Sequence, residues 1–132
     1  MKKRTAILLL ALLMTVAFSL SAYSMGTYSL NETRTTMNMS FNGDEVTCSV
    51  QVTGISATTK IVCDYTLYRV ESDESLTVVK EFPQNTSTIR VCRFEDTAPC
   101  EAGETYLLEV VAQITANGVT ETVLRQFTKT NG

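Results

Sequence analysis

From Met37 onward, apolar and polar residues alternate in short runs separated by turn residues, which is the period of strands packed on one face. The clearest run follows Gly103. Tyr106, Leu108, Val110, Ala112 and Ile114 fall on one side, and Leu107, Glu109, Val111, Gln113 and Thr115 on the other, so the pattern predicts a central strand. Upstream, Met37, Met39 and Phe41 alternate with polar residues. Asn42-Gly43 then supplies the positive φ of a tight hairpin turn, and Val46, Cys48, Val50 and Val52 alternate again. Beyond a connection over Gly54–Thr59, Ile61, Cys63, Tyr65 and Leu67 form an inward set opposed by Val62, Asp64, Thr66 and Tyr68. Leu76 to Phe82 forms the next strand, closed by Pro83, which cannot donate to a ladder. Ser87 to Phe94 follows with two candidate faces, Ile89 and Val91 on one and Cys92 and Phe94 on the other. After the central strand, Asn117-Gly118 makes a type I′ turn into Val119–Thr128. Seven strands of similar length without helical periodicity predict an all-β, antiparallel sandwich over residues 37–132. Met25–Thr36, polar and without clear period, reads as a loose N-terminal arm or a frayed first strand.

The turn before the central strand gives Tyr106 a second role. A Tyr just after a turn can bury its ring at the core edge while its hydroxyl reaches back to upstream backbone, here expected within 96–102.

Residues 1–24 change the compartment. Lys2, Lys3 and Arg4 precede an apolar run from Ala6 to Leu20, and Ala22-Tyr23-Ser24 offers small residues where a signal peptidase cuts. The run is shorter than the roughly 20 residues needed to cross a bilayer. A cleaved signal peptide, secretion and no membrane anchor after cleavage are therefore expected. Removing the leader leaves 8 basic against 14 acidic residues, a net charge of −6. Such a surface favours solubility, suits a monomer and opposes nucleic acid as a partner.

Cys48, Cys63, Cys92 and Cys100 all follow the leader, and an even count in an exported chain reads as two disulfides. Zinc is disfavoured, because the intervals of 15, 29 and 8 residues do not match its close ligand pairs and the chain has no His. The expected pairing is Cys92–Cys100, across a turn between strands, with Cys48–Cys63 meeting across the core. Should Cys92 face inward beside the second strand, Cys48–Cys92 becomes the natural link.

The stretch Ala98-Pro-Cys-Glu-Ala-Gly-Glu-Thr-Tyr106, the central strand, Asn117-Gly118 and the Thr-rich last strand resemble the final two strands of a fibronectin type III module. That resemblance implies an immunoglobulin-like sandwich with strand order A-B-C-C′-E-F-G. The chain departs from the family in having no Trp, and in placing Cys100 where a Leu is customary before the corner. A second resemblance, carried by Cys-Ser-Val-x-Val-Thr-Gly at Cys48 to Gly54, by Thr58-Thr59-Lys60-Ile61 and by Gly103-x-x-Tyr106, is to short secreted proteins of Gram-positive Firmicutes. It implies no activity.

The search for chemistry narrows the function. Without His there is no Ser-His or Cys-His nucleophile pair, and no Gly-x-Ser-x-Gly elbow, phosphate loop or HExxH motif occurs. Glu71-Ser-Asp-Glu-Ser75 lacks the Gly and spacing of a calcium loop and reads as a hairpin tip. Glu95 or Asp96 with Glu101 or Glu104 could form a glycosidase pair, but a sandwich this small rarely holds the cleft that such a pair requires. The expectation is a non-catalytic protein without cofactor or metal, an extracellular binding module for a protein or glycan. Loops 54–60, 83–87 and 115–119 are its candidate contacts. The alternative is a passive structural or envelope-associated protein, and a carboxylate-based hydrolase is a distant third. An outward cluster of Tyr65, Tyr68 and Phe82 would favour binding, and their burial the passive role. Gly43 and Gly118 are the turn positions on which the strand order depends.

Overall fold

The computed structural model describes residues 30–132. The expected leader over 1–24 lies outside them. The alternating runs become β1 (Glu32–Asn42), β2 (Glu45–Gly54), β3 (Thr58–Val70), β4 (Leu76–Glu81), β5 (Asn85–Ser87), β6 (Val91–Pro99), β7 (Thr105–Ala116) and β8 (Val119–Thr130). All pairings are antiparallel, in a three-stranded sheet β1-β2-β6 and a five-stranded sheet β4-β3-β7-β8, with β5 also on β3.

Three expectations are corrected. Of the two readings of the stretch before Met37, residues 32–36 follow the strand and not the loose arm, because they pair with the far half of β2, Thr36 opposite Gln51 and Glu32 opposite Gly54. The strand expected over Ser87–Phe94 is displaced: Ser87 ends the short β5, Ile89 lies in the connection, and β6 begins at Val91, which raises the count to eight strands. The first hairpin turn is Gly43-Asp44 rather than Asn42-Gly43. Asn42 is still paired with Glu45 and only Gly43 has positive φ, 66°, which is the type II′ form. At the second turn Asn117 and Gly118 have φ of 53° and 75°, the type I′ signature.

The inward sets of both sheets share one core. Val46, Cys48, Val50 and Val52 from β2 meet Ile61, Cys63, Tyr65 and Leu67 from β3 and Tyr106 through Ile114 from β7. Around Tyr65 the packing is aromatic: its ring stacks on Phe94 at 3.9 Å, and Phe82 meets Phe94 edge-on at 4.9 Å.

The open edges of the three-stranded sheet are capped from the other sheet. Lys129 Nζ donates to the Met39 carbonyl of β1 at 2.9 Å, and Lys80 Nζ to the Thr97 carbonyl of β6 at 2.8 Å. Along the rest of β6, Asn85 Nδ2 donates to the Arg93 carbonyl at 2.8 Å and Ser87 Oγ to the Val91 carbonyl at 2.7 Å. Side chains thus occupy acceptors that another strand would use.

Candidate functional site

Tyr106 enters β7 from the turn Glu101–Glu104, where Gly103 has φ of 81°. Its side chain is 1% exposed, and its hydroxyl accepts the Glu101 amide hydrogen at 2.7 Å, inside the 96–102 segment named above. Burial pushes the phenol up from its ordinary pKa, and the Glu101 amide pulls the other way. Neighbouring bonds close the same end of the sandwich. The Cys100 amide donates to the Asp44 carbonyl at 2.8 Å, the Gly103 amide to the Asn131 carbonyl at 2.6 Å, and Asn131 Nδ2 to the Glu101 carbonyl at 3.1 Å.

The candidate loops gather at the opposite end. Thr58 is opposite Ala116, and Lys60 opposite Thr115, so loops 54–60 and 115–119 adjoin. The third segment, 83–87, ends in β5, and the turn after it returns to the same end, where the Gly54 amide donates to the Arg90 carbonyl at 2.7 Å. Asn31, 5% exposed, ties this end together. Its Nδ2 donates to the carbonyls of Ile114 at 2.8 Å and Val119 at 3.0 Å, while its own carbonyl accepts the Ile55 amide at 3.0 Å. Around these bonds stand the exposed large apolar residues of the described chain: Leu30 at 61%, Ile89 at 63% and Val119 at 61%. No pattern signalled Asn31, which precedes the first recognisable period. Ile89 continues an apolar run that the pattern gives to a strand, although it lies between β5 and β6.

The aromatic trio is buried. Tyr65, Tyr68 and Phe82 are 1%, 2% and 6% exposed. Tyr68 follows Leu67 onto the outer face of the five-stranded sheet, as expected from alternation, yet is covered there beside Glu109. Glu109, 2% exposed between Thr66 and Gln126, accepts a bond from Gln126 Nε2 at 2.9 Å. Burial raises its pKa, and the Gln126 bond only partly offsets this. Its outward phase gave no sign of burial.

The cysteines do not take the expected pairing. All four are buried. Cys92 and Cys100 stand eight residues apart with the continuous β6 between them, roughly 26 Å at strand rise, because no turn occurs there. Cys48, opposite Asp96, shares its surroundings with Asp96, Lys80 and Cys100 rather than with Cys63 or Cys92. Burial pushes its thiol up to about 12. Burial raises Cys100 also. Cys63 and Cys92 instead perturb each other's titration across the core, and the Cys92 sulfur lies 3.8 Å from the Tyr65 hydroxyl.

The candidate carboxylates lie on β6 and on the turn that precedes β7. Glu95 and Asp96 are successive on β6 and point to opposite faces. Asp96 lies 3.9 Å from Lys80 Nζ, and Glu101 is 71% exposed near Arg69. The acidic insert is the β3–β4 hairpin tip: Glu71 pairs with Arg69 at 2.9 Å, and Asp73 accepts the Ser75 amide at 3.0 Å. Among the described residues no group of acidic or Cys side chains is arranged to hold a metal. The outer face of β1-β2-β6 has a shallow depression of about 670 Å³ lined by Arg34, Thr36, Met37, Asn38, Ser49, Val50, Gln51, Arg93, Phe94 and Glu95, on the solvated side of an antiparallel sheet.

No known family and no curated protein matches the chain. Among solved structures it is similar to the β-glucuronidase of Parabacteroides merdae, at 13% identity and a TM-score of 0.47, over 73% of this chain and 13% of that one. It is also similar to the putative ApaA protein of Bordetella pertussis, at 13% identity and a TM-score of 0.47, over 74% and 89% of the two chains. The sensor domain of the anti-sigma factor RsgI4 of Pseudobacteroides cellulosolvens gives 14% identity and a TM-score of 0.46, over 77% and 96%. The chain thus spans only a small part of the glucuronidase, and likeness at this level says nothing of activity. The structure itself is all-β, two antiparallel sheets around one core.

Proposed function

We propose that the chain is a small secreted, non-catalytic binding module of a Gram-positive bacterium, immunoglobulin-like with fibronectin type III-like strand order, and monomeric. With β5 set aside, the remaining strands take the letters A, B, C, C′, E, F and G in chain order. The sheets are then A-B-E and C′-C-F-G, against A-B-E-D and C-F-G in constant immunoglobulin domains. The reading of the function rests on one observation: Leu30, Ile89 and Val119, each about three-fifths exposed, share the end built by the candidate loops. Exposed apolar side chains on tied-down loops suit an extracellular protein partner better than a glycan, which is usually gripped by aromatic rings. Non-catalytic character is supported by the absence of His.

The test is a pull-down from native extracellular medium with residues 25–132 as bait, beside the triple variant Leu30→Ser, Ile89→Ser, Val119→Ser. A partner retained by the first and lost by the second is expected; equal recovery by both baits removes this end as the contact. The passive structural role is favoured by a different observation, the burial of Tyr65, Tyr68 and Phe82. A bait that retains nothing above a control sandwich decides for it.

A further inference from the structure

We propose that Cys63 and Cys92 form a disulfide that ties the two sheets together, and that Cys48 and Cys100 remain buried thiols. Cys63 lies on β3, opposite Asn85 of β5 on one side and Ala112 of β7 on the other; Cys92 lies on β6, opposite Val52. Both face the core, 0% and 2% exposed, and Tyr65, two residues from Cys63 on the same face of β3, brings its hydroxyl within 3.8 Å of the Cys92 sulfur. The approach is held from outside by Asn85, whose Nδ2 reaches the Arg93 carbonyl at 2.8 Å and so fastens β5, and with it β3, to β6 beside the pair.

The other pairings fail on register. Cys48 is opposite Asp96, whereas the Cys100 amide bonds to the Asp44 carbonyl. The two therefore stand four positions apart along β2, roughly 13 Å, beyond the roughly 4.4–6.8 Å between α-carbons that a disulfide spans. In immunoglobulin domains the inter-sheet bridge joins strands B and F. Here it would join the third strand to β6, next to the sheet edge.

The two thiols are unequal. The neighbouring Cys63 and Tyr65 hold Cys92 below the ordinary thiol range, while the nearness of Cys92, together with burial, pushes Cys63 up. Before the sandwich closes either sulfur can attack first, and the step is the same written from Cys92. Its thiolate displaces one thiol from the disulfide of an oxidant, oxidised glutathione or an oxidoreductase of the exported compartment, and forms a mixed disulfide. Cys63 then gives up its proton to water and attacks the Cys92 sulfur, releasing the second thiol. Two protons leave the protein and two electrons reduce the oxidant. Because both sulfurs are buried in the closed sandwich, oxidation takes place as the sheets close during folding.

The experiment needs no partner and so stands apart from the binding reading. Reduced, unfolded protein is refolded with oxidised and reduced glutathione, denatured in an alkylating agent and digested with trypsin. Cleavage after Lys60, Arg69, Arg90 and Arg93 places each cysteine in a different peptide. The expected product links the peptide of Cys63 to that of Cys92, with Cys48 and Cys100 alkylated. Any other link, or four alkylated cysteines, overturns the proposal. As a second readout, Cys48→Ser with Cys100→Ser should keep a melting midpoint that falls on reduction by on the order of 10 °C, for a loop of 29 residues. Cys63→Ala with Cys92→Ala should lose that dependence. A midpoint that responds to reductant in the latter variant and not in the former reverses the assignment.

Discussion

At the end that holds Tyr106, turn backbone and turn side chains bond to one another: Glu101 to the phenol, Cys100 to Asp44, Gly103 and Glu101 to Asn131. At the other end Asn31 ties the backbone as thoroughly, yet Leu30, Ile89 and Val119 are left standing in solvent. The difference separates two tasks that loops of a small sandwich perform. Polar bonds between loops hold a frame, and apolar side chains that join no frame are available to something else. Substitutions should therefore divide the ends by energy.

The largest effect is expected from Asn31→Ala, which strips the donor from two carbonyls in a buried setting and should cost about 2–4 kcal/mol in denaturant unfolding. A loss below about 1 kcal/mol would show that this end is not held by Asn31. Tyr106→Phe removes only the phenol oxygen and leaves the Glu101 amide unpaired, for about 1–3 kcal/mol. An unchanged midpoint and slope would make the corner a packing feature alone.

Glu109 lies between the ends and should act in the opposite direction. A carboxyl whose pKa is raised by burial keeps its proton longer in the folded than in the unfolded chain. Stability is accordingly intact in acid and withdrawn as pH rises from the unfolded value near 4.5 through the folded one. Glu109→Gln should stabilise the protein at pH 7 by on the order of 1 kcal/mol, with the gain vanishing near pH 4. A gain that does not vary with pH would place its origin in packing rather than charge. The smallest effect belongs to Leu30→Ser, Ile89→Ser and Val119→Ser, each within about 0.5 kcal/mol because the side chains leave little apolar area buried. A cost of 2 kcal/mol at any of them would mean that the exposed end is part of the frame after all.

The elements that were legible in the sequence are those with one buried face. The alternation in Val46–Val52, Ile61–Leu67 and Tyr106–Ile114 passes directly into burial, because a strand with one wet face writes its orientation as a period of two. The second turn was legible because Asn-Gly tolerates two positive φ values in succession. β5 and the start of β6 were not, since a three-residue strand is shorter than any period and Ile89 continued the apolar run across a loop. The cysteine partners were hidden for a related reason: pairing across a core depends on where each strand starts, and displacing one strand by four residues moves its cysteine to a different neighbour. Asn31, Lys80 and Lys129 act through distant backbone carbonyls, which leave no trace in local pattern.

The capped edges bear on how the protein behaves in concentrated solution. Ribbon growth by adding strands to β1-β2-β6 has to begin by dislodging Lys129 from Met39 on one side, or Lys80, Asn85 and Ser87 from β6 on the other. Each lysine carries its charge onto the rim where an incoming strand would lie, so these four side chains stand in the way of templated assembly at the two edges. Resistance to fibril seeding and resistance to denaturant are thereby separable properties of this molecule, and the first can be lost while the fold stays intact.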